Sequence, residues 1–281
     1  MAKIAYISDT HIDFYAENKP AKIRKHADKI VPDHAKEKDY YDAIIVAGDI
    51  GHYNKDNIVF LKQLKNYAAN VICVLGNHDH WLLTKSQKKK YKFESKSRVE
   101  EFGKMCKESN IQLLDPGHTI IKSKDGKPVS ILGFNGWYDG KYMNADPVFL
   151  NIDWPKVMND ARHICSTPES YDSLHKQDMQ KLNNLLNFRG DDLQPDIIVS
   201  HVRPTINPWN IQEKYRRDKN TPFYCFDGSV LMQKLKPKYW IYGHTHDGQD
   251  FVENGVQVVT NAFGYPGELT PDKGKLKEIN I

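Results

Sequence analysis

Residues 71–79 read Val-Ile-Cys-Val-Leu-Gly-Asn-His-Asp, and this stretch decides the fold. Five apolar residues in a row are typical of a buried strand, and Gly76, Asn77, His78 and Asp79 follow them directly. A glycine permits a tight backbone turn beside a bound ion or phosphate. The segment therefore predicts a buried strand that ends in a functional loop.

The same pattern recurs on both sides of this stretch. Short apolar runs that lead into Gly, Asn, Asp or His occupy residues 3–7, 43–47, 129–134, 196–200 and 239–242. Before the quoted stretch, Asp56 or Asn57 can cap a helix in which Ile58, Leu61 and Leu64 form one apolar stripe. Further helices are predicted within residues 21–36, 85–109, 175–187 and 229–235. This alternation of strands and helices predicts a layered α/β fold.

The alternation is modified in three places. Asn254-Gly255 separates two short alternating segments and predicts a hairpin, so the sheet should end in antiparallel strands. A lysine-rich segment at residues 85–109 and a segment at 139–173, which contains Pro168 and few regular periods, interrupt the pattern. We interpret both segments as insertions on a single domain that covers residues 1–281.

Composition limits the classes of function. Hydrophobic residues make up 40% and charged residues 27%, which excludes a wholly disordered chain. A formal charge of +4, from 40 basic and 36 acidic residues, is too small to indicate nucleic-acid binding, and a lysine-rich helix face is usually only solvated. We see no signal peptide, membrane span or cysteine motif, so we expect a cytoplasmic protein with free thiols.

Polar side chains with ligand atoms follow the predicted strands. They are Asp9, His11, Asp49, Asn77, His201, His244 and His246. Open α/β sheets bind ligands beyond the carboxyl ends of their strands, so these side chains should meet there. Imidazole, carboxylate and amide ligands without thiolate suit Mn, Fe, Zn or Ni. Because there are too many ligands for one ion, we predict two ions about 3.5 to 4 Å apart, bridged by Asp49.

Five short motifs resemble those of the calcineurin-like metallophosphoesterase superfamily: Asp9-Thr10-His11, Gly48-Asp49, Gly76-Asn77-His78-Asp79, His201 and Gly243-His244-Thr245-His246. The resemblance implies an α/β/β/α sandwich, with mixed central sheets flanked by helices. It implies one metal held by Asp9, His11, Asp49 and His246, and a second held by Asp49, Asn77, His201 and His244. Among the candidate metals, Mn and Fe are favoured.

One departure from the superfamily pattern narrows the resemblance. Ile50, Gly51 and His52 follow Asp49 where the protein Ser/Thr phosphatases carry an Asp and an Arg. This difference disfavours a protein phosphatase and favours the bacterial and phage branch of small-substrate phosphoesterases. Residues 133–137 and 158–161 also look similar to segments of that branch, which is a much weaker signal.

The resemblance places His78 against the substrate. We expect a hydroxide held between the two ions to attack phosphorus, while His78 stabilises developing charge or protonates the leaving oxygen. Asp79 is predicted to hold the His78 ring through its second nitrogen. Asn77, His52 and Arg203 are predicted substrate contacts, although a solvated loop position for His52 or Arg203 fits the sequence equally well.

The predicted function is metal-dependent hydrolysis of a phosphomonoester or phosphodiester. The expected partner is a small phosphorylated substrate. A nucleotide is compatible with the sequence, because aromatic side chains that line a pocket can stack on a nucleobase, although aromatic residues more commonly fill the core. The candidates are Trp137, Tyr138, Tyr142, Trp154, Trp209 and Tyr215. A nucleic-acid substrate is compatible but not favoured. The rival interpretation is a noncatalytic scaffold that binds partner proteins, which the intact ligand set disfavours. Oligomeric state is left open.

Overall fold

The computed structural model describes residues 1–166, 169–190, 193–268 and 274–281. The fold is built on two mixed sheets, and the central strands of each sheet are parallel. The strands of the first sheet are β1 (Lys3–Ile7), β2 (Tyr41–Ala47), β3 (Ala68–Val74), β4 (Gln112–Leu113) and β11 (Lys277–Asn280). Their order is β11-β1-β2-β3-β4, and β11 alone runs antiparallel to its neighbour.

The second sheet ends in an antiparallel strand at each edge. Its strands are β5 (Gly117–Lys122), β6 (Pro128–Gly133), β7 (Ile197–Val199), β8 (Tyr239–Tyr242), β9 (Phe251–Glu253) and β10 (Val256–Thr260). The order is β5-β6-β7-β8-β10-β9, with β6, β7, β8 and β10 parallel. The hairpin predicted at Asn254-Gly255 joins β9 to β10.

Helices cover the outer faces of both sheets. They are α1 (Asp13–Ala16), α2 (Pro20–Ile30), α3 (Asn54–Leu64), α4 (Lys85–Lys90), α5 (Ser95–Glu108), α6 (Pro147–Val157), α7 (Asp160–His163), α8 (Ser173–Arg189) and α9 (Ser229–Leu235). Single 3-10 turns lie at Asp33–Ala35, His78–His80, Tyr142–Asn144, Pro208–Asn210, Glu213–Tyr215 and Thr221–Phe223. No helix in the described part of the chain is long and apolar enough to cross a membrane.

The strands are buried on both faces, and β2 illustrates the reason. Ile44 and Val46 belong to the apolar layer beneath the helices of the first sheet. Ala43, Ile45 and Ala47 alternate with them and belong to a layer between the two sheets. A third apolar layer lies between the second sheet and its own helices. The predicted α/β/β/α architecture is confirmed; the single domain stays a prediction, which the shared middle layer supports.

Several predicted boundaries differ from the structure. The helix predicted within residues 21–36 is α2, which begins at Pro20 and ends at Ile30, because Pro32 forces the preceding Val31 into extended backbone. The helix predicted at 85–109 is divided into α4 and α5. The segment at 139–173 contains α6, whose periodicity Pro155 obscures, and the short helix α7. Residues 167 and 168 of this segment, including Pro168, lie outside the described residues.

His26 on α2 is a buried titratable group far from any predicted ligand in sequence. Its ring packs against Tyr15, Phe60 and Phe263, and its Nε2 has no hydrogen-bond partner among the described residues. Burial, aided by the charge of Lys29, lowers the pKa of His26 from 6.5 to about 4. The folded state therefore holds this ring neutral at a pH where the unfolded chain would protonate it.

Replacing His26 should remove part of the acid sensitivity of the fold. As pH falls from about 6.5 to about 4, His26 becomes protonated in the unfolded chain but stays neutral in the folded protein. Over this range His26 should therefore lower the free energy of unfolding by about 3 kcal/mol. Urea unfolding of wild type and His26→Phe at pH 7 and pH 4.5 measures the difference. His34→Phe, at an exposed ring, is the control. An unchanged pH dependence in His26→Phe would contradict the assignment.

Candidate metal centre and active site

The predicted metal ligands lie in loops at the carboxyl ends of β1, β2, β3, β7 and β8. Four of them have left-handed backbone, with φ of 51° at Asp9, 39° at His11, 53° at Asp49 and 64° at His244. For residues other than glycine this conformation costs roughly 1–3 kcal/mol each. The surrounding structure therefore holds these loops in a strained geometry that brings their side chains together.

Two groups of ligand atoms meet at the Asp49 carboxylate. On one side, His246 Nε2 lies 3.1 Å from His11 Nε2 and 3.4 Å from Asp9 Oδ1. On the other side, His201 Nε2 lies 3.0 Å from Asn77 Oδ1 and 3.4 Å from Asp49 Oδ2. Because Asp49 Oδ2 is also 4.0 Å from His11 Nε2, this oxygen lies between the two groups.

Glycine is required beside the Asp49 carboxylate. A Cβ atom on Gly76 would overlap Asp49 Oδ1 and crowd the Asp49 backbone nitrogen. The oxygen that lies there accepts a hydrogen bond of 2.9 Å from the backbone N–H of His78. The absence of a side chain at Gly76 therefore lets the loops after β2 and β3 approach closely. With the loops in this position, Asp49 Oδ2 faces the other ligands.

The donor set fits metal ions. Asp9 Oδ1 is buried and makes no hydrogen bond among the described residues, which is costly for a carboxylate unless a cation satisfies it. Ligand atoms of Asp9, His11 and His246 lie within 4.8 Å of one another, as do those of Asp9, Asp49 and His201. Nitrogen and oxygen ligands of this kind suit first-row transition metals.

Charges in the cluster depend on one another. Burial opposes protonation of His201, but Asp49 and Asp9 raise the pKa of His201 to about 10. Burial is likewise outweighed at His246, where Asp9 and Glu268 raise the pKa to about 9. The buried carboxylates thus attract positive charge. A metal ion would satisfy the same demand by displacing these protons, because a ligating imidazole must be neutral.

His78 is held from three sides. Its Nδ1 lies 3.0 Å from His52 Nε2, and His52 Nδ1 lies 2.6 Å from Asp13 Oδ2. The indole of Trp81 stacks on the His78 ring with the centroids 3.5 Å apart. His78 Nε2 lies 3.7 Å from Asp49 Oδ2 and 3.5 Å from the hydroxyl of Tyr265. The chain Asp13, His52, His78 therefore ends at a ring nitrogen beside the metal ligands.

The predicted contact of Asp79 with the His78 ring is wrong. Asp79 Oδ2 accepts hydrogen bonds from the backbone N–H groups of Gly76 (2.8 Å) and Asp49 (3.1 Å), and its Oδ1 accepts one from Asn57. Burial and the charge of Asp49 raise the pKa of Asp79 to about 6. Residues 78 and 79 lie on one 3-10 turn, so their side chains point in different directions. Asp79 braces the two loops.

A cavity of about 830 Å³ opens over the cluster. Asp49, Asn77, His78, His244 and His246 line it, as does Arg203, whereas His52 is buried behind His78. The predicted substrate contact of His52 is therefore replaced by contacts to His78 and Asp13. The predicted aromatics divide: Tyr215 lines the cavity, Trp209 is exposed, and Trp137, Tyr138, Tyr142 and Trp154 are buried.

A model of the family described as calcineurin-like phosphoesterase matches residues 2–248. The chain belongs to the calcineurin-like phosphoesterase family. This phosphoesterase is 25% identical over 284 residues to an uncharacterised protein of Acanthamoeba polyphaga mimivirus, with 95% of this chain and 93% of that protein covered. It also resembles the crystal structure of phosphopantetheinyl hydrolase from Mycobacterium tuberculosis, with a TM-score of 0.78 and 19% identity over 99% of this chain and 95% of that one.

Family membership supports metal-dependent hydrolysis of phosphoesters as the general reaction of this phosphoesterase. Sequence motifs missed several residues that contact the site: Asp13, Trp81, Arg98, Asp160, Tyr265 and Glu268. Most have no signal in the sequence, because they lie outside the ligand motifs and reach the site only through folding. Asp160 falls within residues 158–161, the stretch with the weaker resemblance.

Arg98 on α5 fixes the loops that carry His78 and His52. It is 1% exposed, and its guanidinium donates to the carbonyl oxygens of His78 (2.7 Å), Trp81 (2.6 Å) and Gly51 (3.0 Å). A single side chain therefore ties together the loops after β2 and β3. This contact comes from residues 85–109, the segment that we predicted to be an insertion.

Arg98→Met should destabilise the phosphoesterase by about 3 kcal/mol, because three loop carbonyls lose a buried charged donor. Urea unfolding of the purified protein measures the change in the free energy of unfolding. Lys96→Met, at an exposed position on the same helix, is the matched control. If both variants unfold at the wild-type urea concentration, Arg98 does not hold the loops.

Proposed function

We propose that this phosphoesterase hydrolyses the ester bond of a small phosphorylated substrate with the help of two metal ions. One observation carries the proposal: ligand side chains from five strand ends gather around Asp49 Oδ2 on one wall of a cavity of about 830 Å³. Such a cavity accommodates a small molecule.

Hydrogen bonds orient the ligating imidazoles. His201 Nδ1 lies 2.8 Å from the carbonyl oxygen of Ala47, and His244 Nε2 lies 3.3 Å from that of Phe223. A carbonyl oxygen only accepts, so in each ring the opposite nitrogen keeps its lone pair for a metal. With Asp49 shared, Asp9, His11 and His246 would hold one ion, and Asn77, His201 and His244 the other. Bound ions would supply the charge that acidifies water and polarises the phosphate.

The Asp13, His52, His78 chain assigns the proton positions. The Asp13 carboxylate accepts from His52 Nδ1, so His52 Nε2 is left to accept from His78 Nδ1. His78 Nε2 is then the atom that takes or gives a proton towards the cavity. Burial lowers the pKa of His78 well below its usual range, and a phosphate anion beside it would raise that pKa again. Protonated His78 Nε2 would give its proton to the leaving oxygen as the phosphorus–oxygen bond breaks.

Arg203, which lines the same cavity as His78, is the proposed phosphate contact. It is 2% exposed, its Nη2 donates to Thr245 Oγ1 at 3.0 Å, and its Nε has no partner among the described residues. No carboxylate lies within ion-pair distance of it in that part of the chain. A buried guanidinium that lines the cavity without a counter-charge favours an anionic ligand.

The identity of the ester is tested with a substrate panel. Phosphomonoesters, cyclic nucleotides, single-stranded DNA and a phosphopantetheinyl phosphodiester, the last suggested by the name of the structural relative, are compared by turnover with added Mn²⁺. Cleavage of one class far above the others would identify the substrate. No cleavage of any phosphoester at any metal loading would contradict the proposal and favour the noncatalytic scaffold.

Two substitutions separate metal binding from proton transfer. His78→Ala should keep both metal ions and lose about 10²- to 10⁴-fold in turnover, because it removes only the group that carries a proton. Asp49→Ala should lose metal as well as activity, because Asp49 contacts both ligand groups. Metal analysis and kinetics on bis(p-nitrophenyl) phosphate measure both effects. Equal metal loss in the two variants would refute these roles.

The chain behind His78 is tested by a double-mutant cycle. Asp13→Asn and His52→Ala should each lower turnover about 10- to 100-fold, since both act through the orientation of His78. The double variant should be little worse than His52→Ala, because residues that act as a unit are not additive. His34→Ala, at an exposed histidine paired with Glu278, controls for loss of an imidazole. Fully additive losses would show that Asp13 and His52 act separately.

A further inference from the structure

Asp160 is a fully buried carboxylate outside the five ligand motifs that contacts the predicted metal ligand Asn77. It lies at the start of α7, within residues 139–173, and is 0% exposed. In the described part of the chain it forms no ion pair with a lysine, arginine or histidine. A buried carboxylate without a counter-charge is costly, so its role must lie in the groups that it contacts.

Three donors converge on Asp160. Its Oδ1 accepts from Asn77 Nδ2 at 2.9 Å and from the indole N–H of Trp81 at 2.7 Å. Its Oδ2 accepts from the hydroxyl of Tyr138 at 3.0 Å, and that hydroxyl accepts from the indole N–H of Trp154. One oxygen of the carboxylate is thus held by Tyr138, which Trp154 supports in turn, and the other oxygen holds Asn77 and Trp81.

The contact with Asn77 fixes the direction of an amide. An asparagine side chain can rotate by half a turn and exchange its oxygen with its nitrogen. A carboxylate only accepts hydrogen bonds, so Asp160 selects the orientation in which Asn77 Nδ2 faces it. Asn77 Oδ1 then faces the metal ligands, 3.0 Å from His201 Nε2. Donation to a carboxylate also makes the amide oxygen a better metal ligand.

The contact with Trp81 reaches the proton-carrying histidine. The indole that donates to Asp160 stacks on His78, with the ring planes 27° apart. The residues just before Asp160, Val157, Met158 and Asn159, line the cavity. One segment therefore supplies a wall of the cavity and the anchor for a metal ligand.

We propose that Asp160 is a positioning residue for the metal ion held by Asn77, and that residues 139–173 are a working part of the active site. This inference rests on the two-metal centre of the proposed function. Asn77 belongs to one ligand group, whereas Asp9, His11 and His246 form the other. Loss of Asp160 should therefore weaken one metal site selectively.

Manganese binding to the full-length protein tests this inference without reference to activity. Metal-depleted wild type, Asp160→Ala and Asp160→Asn are dialysed against increasing Mn²⁺, and bound metal is counted. Asp160→Ala should bind the first ion normally and the second about 10- to 100-fold more weakly. Asp160→Asn keeps an acceptor oxygen for Asn77 and Trp81, so it should recover much of the lost affinity. Electron paramagnetic resonance should report coupled ions in wild type and an isolated ion in Asp160→Ala.

Asp42→Asn is the control for removing a buried carboxylate. Asp42 accepts from the backbone N–H groups of Lys3 and Lys124 at the amino end of β2, away from the ligands. The Asp42→Asn variant should bind both ions as wild type does. Wild-type Mn²⁺ binding by Asp160→Ala, or equal weakening of both ions together with a lower unfolding temperature, would overturn the inference. Wild type that binds two ions and cleaves no phosphoester would sink the proposed function and leave the role of Asp160 standing.

Discussion

The Asp49 carboxylate is the point on which the site depends. One oxygen accepts from the backbone of His78, and the other lies within 4.0 Å of imidazole nitrogens from three different loops. This position exists only because Gly76 lets two strand ends approach without a side chain between them. Burial opposes its ionisation, yet the surrounding histidines hold the pKa of Asp49 well below its usual range, so the site keeps a fixed negative charge.

Buried polar contacts behind the ligands stabilise the strained backbone of the ligand loops. Left-handed backbone at Asp9, His11, Asp49 and His244 is unfavourable in isolation. Asp79 braces the loops after β2 and β3 through their backbone amides, and the Arg98 guanidinium ties the same loops through their carbonyl oxygens. A core of apolar residues in these positions would be simpler to stabilise. The polar network is explained by the need to hold ligands in one geometry.

His78 and the predicted metal ligand Asn77 share a support. Trp81 stacks on His78 and donates a hydrogen bond to Asp160, which also accepts a hydrogen bond from Asn77. At the edge of the ring, His78 Nδ1 contacts His52, which links it to Asp13 at the start of α1. Segments between the family motifs therefore support the motif residues through direct hydrogen bonds and ring stacking. Since such segments also line the cavity, they are where substrate choice is expected to reside.

The sequence alone determined the layered fold and the seven metal-ligand candidates, because a strand and the ligands that follow it are neighbours in sequence. Three of the predicted strands end one residue later than β3, β6 and β7 do. The sequence also predicted β8 and α9 with their observed bounds. Only the tertiary structure decided the partners of those ligands. Asp79, adjacent in sequence, points away from His78, whereas His52, 26 residues earlier and itself paired with Asp13, contacts the ring nitrogen that Asp79 was expected to hold. Periodicity reports which face of a strand is buried, but side-chain partners depend on which loops the packed sheets bring together.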